Sequence, residues 1–553
     1  MRSDRRRGLA ALIAVGLLAG ACSGGGGKDA SSRSSSSTST RSSSAGSSGA
    51  SKRSGATTVT APEGGTVKVG LAGAIPVDPV LASPANPGEE MVLDLLHDGL
   101  TRIDADGHVQ PAVASQWSAD AAFKVWRFTI GPTATFTSGR PITATDVVGS
   151  LEHVIAAGDT SLAALRLEPI QGFRAYLDRT TPSVSGLIAV DASTVQISLD
   201  RSLSILPEIL AAPAYGVVDL TSLAAASKGD LRGLDLSGAW SVASASDTAD
   251  HVVLARRAGA AAHLDTVDLR SYKDAAAAYA AFRKGSVDWA PVPTDQLGAA
   301  RAKYGAAHLT PYQSELALGL RVPNLPWLPF RQAIAAAIDR QAIVAAVYPD
   351  LADQLTAVVP RGVVGHDDAR CPSCTHDLAR AKALLAQAFP NGQVPTVTLS
   401  FDSSPAQQAL AAIVVQDLKA VGIPVTSQPM SLDDYQHLLV SGAQQLFTLS
   451  WIGADRSPDA YLDPLFRSDS LDNLVGLSSP QVDALLAQAR ATGDPTAAGA
   501  AWASAEQQVL AAAVVIPIAQ FRSQVVVSKR VLGLATAVDG TVDWAAVRVE
   551  GGA

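Results

Sequence analysis

Residues 95–150 read LLHDGLTRIDADGHVQPAVASQWSADAAFKVWRFTIGPTATFTSGRPITATDVVGS. The Asp-Gly pair at 106–107 predicts a turn between two short strands. The alternation of apolar and polar residues over 124–130 predicts a further strand. The sequence TATD at 143–146 is a capping box, which predicts that a helix opens there and continues through 147–155. The stretch is therefore expected to form a strand-rich block that leads into a helix.

Working outward, a strand is predicted over 66–71 and an amphipathic helix over 89–100. Together with the block at 95–150, seven further segments occur in an order and spacing that resemble the bacterial extracellular solute-binding proteins of family 5, the peptide/nickel type. These segments are Ala278–Pro291, Phe330–Val344, Asp417–Ile423, Asp434-Tyr435, Trp451, Asn473 and Pro480–Asp483. The resemblance covers nearly all of residues 64–545. It departs at 236–240, where LSGAW stands in place of the family's GTGPY turn.

The resemblance implies an α/β fold with two lobes, of the type II periplasmic-binding-protein kind, and a hinge between them. Lobe I is expected over 63–320, including a strand-rich subdomain at about 95–200. Lobe II is expected over 321–514, and the chain then returns to lobe I over 515–553. The predicted hinge crossing is the extended run 318–322, because three prolines follow it and disfavour helix. A ligand that contacts both lobes only when they are closed would select the closed state.

The N-terminus has the features of an export signal. Four arginines precede an apolar run over 8–21, which is too short to span a bilayer as a helix. Cys22 follows directly, so residues 1–21 resemble a lipoprotein signal peptide and Cys22 its lipidated residue; an ordinary secreted protein with a chance cysteine is the alternative. Residues 22–62 are rich in Ser and Gly and predict a disordered tether with a reach of roughly 35 Å.

Composition excludes several other classes of protein. The chain has 553 residues, a net charge of −8 and a pI of about 5.6, so it lacks the basic field that attracts nucleic acid. The roughly 490 residues after the tether are too many for a single hydrophobic core. After Cys22 no apolar run is long enough to span a membrane. The resemblance of the N-terminus to a lipoprotein signal implies that the chain is held by its lipid on the extracytoplasmic face of the cell membrane, and the family resemblance implies a monomer.

The segment 449–461 is the predicted ligand-contact region. In peptide-binding relatives, an Asp soon after the residue that matches Trp451 pairs with the α-ammonium group of the peptide. Here that position falls on Asp455 if the alignment shifts by one residue, and on Ala454 if it does not. A carboxylate that meets a cation gains a charge-assisted hydrogen bond. Asp455 could instead cap its loop, and Trp451 could be cleft core rather than a stacking surface.

Cys371 and Cys374 form a Cys-Pro-Ser-Cys motif just before a helix predicted over 377–389. A local disulfide is the favoured interpretation in an oxidising exterior. A thioredoxin-like redox pair lacks its usual βαβ surroundings. A metal site would have to add His366 and His376, whose spacing is irregular.

No sequence motif indicates catalysis. HExxH, GxxxxGK[ST] and GxSxG are all absent, and the nine histidines are scattered. The resemblance implies a binding protein with no cofactor and no metal of its own. Its partners would be a small peptide or another small solute and an ABC permease in the cell membrane. The alternatives are a receptor for chelated metal or an oligosaccharide, and a ligand sensor on the same fold.

Overall fold

The computed structural model describes residues 64–80, 86–104, 107–158, 161–305, 311–368, 371, 374–534 and 536–550. The predicted signal peptide, Cys22 and the tether lie outside the described residues. Among the described residues, no helix is both long and apolar enough to cross a bilayer.

The first half of the chain begins with a buried strand and a capped helix, and then forms the strand-rich block. Asn86 caps the first helix, which ends at Leu96, four residues before the predicted end. The elements up to this block's last helix are β1 (Thr66–Ala72), α1 (Pro87–Leu96), β2 (Thr101–Ile103), β3 (Val109–Pro111), β4 (Ala114–Ala119), β5 (Val125–Ile130), α2 (Ala144–Ala156), α3 (Leu162–Arg166), α4 (Phe173–Leu177), β6 (Leu187–Ala189), β7 (Thr194–Ser198), α5 (Leu206–Ile209) and α6 (Leu220–Ala226).

The strand-rich block is a subdomain with its own core. Its sheet has the order β4-β5-β7-β6, and all neighbouring strands in it are antiparallel. Thr143 and Asp146 form the predicted capping box, with both reciprocal bonds present, and α2 packs its apolar face on this sheet. The core includes Phe128 and Phe136, which are fully buried. The subdomain therefore holds α3, which follows α2, in a defined position.

The chain then completes a first sheet, whose order is β18-β11-β1-β10-β9-β8. Strand β1 pairs in parallel with both β10 and β11, and the remaining pairs are antiparallel. We call the part built on this sheet the first lobe, and its core includes Trp240 and Trp289. The elements from the subdomain to the first crossing are β8 (Trp240–Ala245), β9 (His251–Arg256), β10 (Thr266–Tyr272), α7 (Ala275–Arg283), β11 (Trp289–Pro291) and α8 (Leu297–Tyr304).

A second six-stranded sheet, of order β13-β17-β12-β16-β14-β15, forms the second lobe. Hydrophobic clusters cover both faces of this sheet. Its elements are β12 (Pro311–Leu320), α9 (Leu328–Ala337), α10 (Arg340–Val347), β13 (Ala352–Gln354), α11 (Leu378–Ala388), β14 (Val397–Asp402), α12 (Pro405–Ala420), β15 (Val425–Met430), α13 (Leu432–Ser441), β16 (Leu446–Ile452), α14 (Asp459–Phe466), α15 (Pro480–Arg490), α16 (Pro495–Ala511) and β17 (Val515–Arg522). The chain ends with β18 (Val525–Val527), β19 (Val531–Leu532) and β20 (Arg548–Val549).

The sheet topology corrects both predicted crossings between the lobes. Strand β12 lies within the second sheet, paired with β16 and β17, so residues 311–320 do not belong to the first lobe. Strand β17 also stays in the second sheet, and the chain returns to the first only between Arg522 and Val525. The prolines after β12 are not a hinge: they lead into α9, where Pro329 occupies the first turn. Sequence could not show this, because strand membership depends on long-range pairing.

The segment Phe330–Val344, which resembles one helix of the family, forms two helices here. Ile338 has an extended backbone (φ −77°, ψ 122°), and this conformation ends α9. The Asp339 carboxylate then accepts a hydrogen bond from the Ala342 N–H and caps α10. Asp is a preferred N-cap residue, so a new helix start inside an apparently continuous helical pattern has a local cause.

Candidate functional site

A cleft of about 1050 Å³, including its solvent-open part, lies between the subdomain and the second lobe. Helices α3 and α4 of the subdomain form one wall. The end of β16, helix α14 and the loop after it form the other. Its lining mixes apolar side chains with charged ones, including Trp451, Ala454 and Arg166. A concave site that mixes apolar side chains with a few polar groups is the usual form of a small-ligand site.

Asp455, the predicted ammonium anchor, is buried behind this wall and already has a cationic partner. Its carboxylate accepts a hydrogen bond from Arg166 Nε at 2.6 Å. It also accepts a hydrogen bond from the backbone N–H of Ser457 at 2.8 Å and another from the Ser457 hydroxyl. Asp455 therefore both caps its loop and pairs with a guanidinium group from the subdomain. Ala454, the alternative family position, lines the cleft.

Arg166 is part of a larger ion-pair network, in which Asp459 is central. Asp459 is fully buried and pairs with Arg166 from the subdomain. On its other side, Arg490 donates to both of its carboxylate oxygens, at 2.7 and 2.9 Å. Arg490 also lies 2.7 Å from an oxygen of Asp463. The network therefore joins α3 of the subdomain to α14 and α15 of the second lobe.

The electrostatics of this network favour its charged form. Burial opposes ionisation of Asp459, but the Arg490 and Arg166 guanidinium groups outweigh it and hold the pKa of that carboxyl well below its usual range. Burial likewise opposes the charge on Arg166, and the carboxylates of Asp455 and Asp459 outweigh it and raise the pKa of the guanidinium. The ion pairs therefore persist throughout the physiological pH range.

Trp451 stands at the end of β16 and is 4% exposed. Its indole N–H donates to the carbonyl of Ala460 at 2.8 Å, which holds the ring against the start of α14. The side chain belongs to the core of the second lobe and also lines the cleft. Trp451 thus supports the cleft wall, and only a small part of its side chain faces the cleft.

The first and second lobes also meet at a cluster of acidic side chains. Arg456, from the loop after β16, donates to Asp539 of the first lobe at 2.5 Å. Glu90 on α1 lies near Asp539 and Asp94; burial and these neighbouring charges raise the pKa of Glu90 to about 8. Burial raises the pKa of Asp94 to about 7. Burial raises the pKa of Tyr312 of β12 well above its usual value, and the nearby charges of Glu90 and Asp539 raise it further.

We expect Glu90→Gln to change how stability depends on pH. A raised carboxyl pKa means that the folded state keeps its proton while the unfolded chain loses it above about pH 4.5. Wild-type stability should therefore fall relative to the variant as pH rises from about 4.5 to about 8, by at most roughly 1.4 kcal/mol per pH unit. Urea unfolding across pH 5–9 measures this, with Glu89→Gln on the same helix as the control. Parallel profiles for wild type and Glu90→Gln would contradict it.

Cys371 and Cys374 are disulfide-bonded in the structure. Both are buried in the core of the second lobe, and neither lines the cleft described above. His376 is exposed, and His366 instead bonds the carbonyl of Val359 at 2.7 Å. Among the described residues, no group of three His, Cys, Asp or Glu side chains is arranged to hold a metal ion.

Comparison with known proteins agrees with this architecture. The profile of the bacterial extracellular solute-binding proteins, family 5 Middle, matches residues 108–473. The chain belongs to this family. The match spans the subdomain, the first crossing and the segment that carries Trp451 and Asp455. The family resemblance and the two-lobed α/β fold predicted from sequence are therefore confirmed.

Family 5 relatives with different ligands in their names align over most of this chain. The dipeptide-binding protein DppE of Bacillus subtilis is 24% identical over 494 residues, which cover 82% of this chain and 87% of the relative. The probable deoxycholate-binding periplasmic protein YgiS of Escherichia coli is 26% identical over 460 residues, covering 78% and 84%. Membership of the family therefore does not by itself specify the solute.

A solved family 5 structure shares the fold. The periplasmic murein tripeptide binding protein MppA, in its unliganded open form, superimposes with a TM-score of 0.79 at 22% identity. The superposition covers 88% of this chain and 98% of that one. At this level of identity the likeness supports the fold alone.

Sequence reasoning predicted Trp451 and Asp455 as ligand contacts, which stays a prediction: Trp451 lines the cleft and Asp455 lies behind its wall. It missed the charged residues that surround them. Arg166 lies 289 positions before Asp455, and nothing in a single sequence connects the two. No sequence motif marks Asp459 or Arg490 as part of a site.

Proposed function

We propose that this chain is the lipid-anchored receptor of an ABC importer and that it captures a short peptide between its lobes. One observation supports this most directly: a cleft lined by charged and apolar side chains lies between the subdomain and the second lobe of a family 5 chain. The proposed partners are a membrane permease and its ATPase. The chain would act by binding and release, without catalysis and without a cofactor.

Capture between lobes suits this task physically. Peptide backbone groups can be satisfied by hydrogen bonds that resemble those of an added strand, while side chains occupy roomy pockets. A ligand that contacts both the subdomain and the second lobe adds to the free energy that holds them together. A permease could then distinguish the loaded receptor from the empty one by shape.

Native mass spectrometry of the full chain, purified from detergent-solubilised membranes without denaturation, tests this proposal. We expect a ladder of bound masses that match short peptides, and the loss of that ladder after unfolding and refolding. A single bound mass of another class would replace the peptide by a different solute. An empty protein whose melting temperature does not change with mixed peptides would contradict import and favour the sensor.

Anchoring has its own test at Cys22. Because the thioether at this cysteine would be the only lipid attachment, Cys22→Ser should move the protein from the membrane fraction to the soluble fraction. Fractionation followed by immunoblotting measures the change. Replacing Ser23 with alanine is the matched control and should leave the protein membrane-bound. Membrane retention of the Cys22→Ser protein would refute lipidation at this residue.

A further inference from the structure

The carboxylates that line the cleft differ in whether a cation already neutralises them. Glu168 lies 2.6 Å from Arg201 within the subdomain. Across the cleft, Asp463 lies 2.7 Å from Arg490 and 3.2 Å from Arg467. Asp469 also pairs with Arg467. Each of these three carboxylates therefore has a partner within the protein.

Asp472 lines the same cleft and is the exception. Within the part of the chain that the structure describes, its carboxylate has neither an ion pair nor a hydrogen bond. Its side chain is partly buried, and burial raises the pKa of this carboxyl to about 7 with no described cation to oppose the effect. A partly desolvated carboxylate without a counter-ion would gain a charge-assisted hydrogen bond from a cation in the cleft.

The loop that carries Asp472 is held in place by its own hydrogen bonds. The Asn473 side-chain amide donates to the carbonyls of Arg467 at 3.1 Å and Leu477 at 2.7 Å. Its oxygen accepts the Leu477 N–H at 3.1 Å. The Ser470 hydroxyl donates to the carbonyl of Pro464 at 2.6 Å. A carboxylate on so constrained a loop is positioned before any ligand arrives, which reduces the entropic cost of binding.

We propose that Asp472 binds an alkylammonium group of the ligand, in the cleft between the subdomain and the second lobe. This inference rests on the proposed function, which places the ligand in this cleft. Asp455 is the less suitable anchor, because Arg166 already supplies its positive charge. The Asp472 carboxylate can accept hydrogen bonds from an ammonium group. A peptide N-terminus, a lysine side chain or a polyamine could each supply that group.

The other charged groups on the cleft walls are engaged elsewhere. Arg467 and Asp469 on the same loop pair with each other, and Asp463 and Arg490 behind it belong to the network around Asp459. From the subdomain, Arg166 pairs with Asp455 and Asp459. The Arg174 guanidinium lies 5.3 Å from the ring centre of Phe173. Burial also raises the pKa of Glu208, near Asp455 and Arg166, to about 7, so the pH dependence assigned to Asp472 is the part that disappears in Asp472→Asn.

Titration calorimetry on the full chain tests the proposal with four probes: trialanine, N-acetyl-trialanine, N-acetyl-lysine amide and spermidine. Wild type is compared with Asp472→Asn, which keeps the shape of the side chain and removes its charge. The control is Asp433→Asn on α13, an exposed carboxylate of the second lobe that does not line the cleft. Each titration is repeated at pH 5, 6, 7 and 8 and, at pH 7, in two buffers of different ionisation enthalpy, so that proton release is measured directly.

We expect at least one ammonium probe to bind wild type, and Asp472→Asn to weaken its binding about 10- to 100-fold while Asp433→Asn does not. Binding should release about half a proton at pH 7 and weaken about tenfold per pH unit below 6, and both effects should vanish in Asp472→Asn. Loss of binding on acetylation of trialanine identifies a peptide N-terminus. Binding of the lysine amide or of spermidine alone identifies the other sources.

Two results would overturn the proposal. Equal affinity of wild type and Asp472→Asn for every ammonium probe that binds would exclude Asp472 while leaving the proposed function intact. Failure of all three ammonium probes to bind wild type would also exclude it. The proposed function itself would be contradicted only if the acetylated peptide also failed to bind and the mass spectrum showed no bound solute. The two failures are therefore distinguishable.

Discussion

Replacing Asp459 with alanine is expected to lower the free energy of unfolding by about 3–5 kcal/mol. The substitution leaves the guanidinium group of Arg490 buried without its bidentate partner, and it takes from Arg166 one of its two carboxylates. Because Asp459 is fully buried, water cannot replace the lost contacts without opening the interface. Urea unfolding at pH 7 measures the loss.

A surface ion pair provides the matched control. Asp247 pairs with Arg232, and both side chains are mostly exposed, so Asp247→Ala should leave the unfolding midpoint unchanged within error. If Asp459→Ala does not fold, Asp459→Asn tests the same point with less loss of packing, and it should still lower the midpoint clearly. A midpoint for Asp459→Asn equal to that of wild type would contradict the central role of this carboxylate.

The second large effect is expected from Arg166→Ala, which removes the cation that the subdomain contributes to the second lobe. Asp455 then keeps only the Ser457 contacts, and its buried charge lacks a counter-ion. We expect a loss of about 3–5 kcal/mol, the usual cost of removing one member of a buried pair. The radius of gyration from small-angle scattering should also increase, because this pair spans the cleft.

A double-mutant cycle separates the ion pair from general damage. In Arg166→Ala/Asp455→Ala the uncompensated charge is gone, so the double variant should be more stable than the sum of the two single changes predicts. Arg201→Ala is the control, since its pair with Glu168 is partly exposed, lies within the subdomain and should contribute only about 0–1 kcal/mol. The buried ion pair would be contradicted if the two single changes lowered the free energy of unfolding additively. It would also be contradicted if Arg166→Ala cost no more stability than Arg201→Ala.

The network also bears on ligand selection. Because Arg166 pairs with Asp455, we expect the Asp455 carboxylate to be closed to ligands in this chain. Asp455→Ala should then change peptide affinity little, whereas pairing with a ligand ammonium would cost on the order of 1.5–3 kcal/mol. The comparison with Asp472→Asn in the same assay decides which carboxylate faces the ligand.

Much of the fold followed from local patterns in the sequence. The capping box at Thr143 and Asp146 gave a helix that starts at Ala144, and the alternating run over 66–71 gave β1. Asp377 caps α11 at the predicted place. These predictions succeeded because each depends on side chains within a few residues of one another. The lobe crossings failed because strands β12 and β17 take their places by pairing with distant strands.

The sequence by itself determined the family, the two-lobed α/β class and the order of the segments, and it predicted ligand contacts at Trp451 and Asp455. Only the tertiary structure decided which charges meet there. It brings Arg166 to Asp455 across 289 positions, and it leaves Asp472 on the cleft wall without a described partner. The physical reason is that helices and turns depend on contacts close in sequence, whereas ion pairing, burial and strand order depend on which distant segments the folded chain brings together.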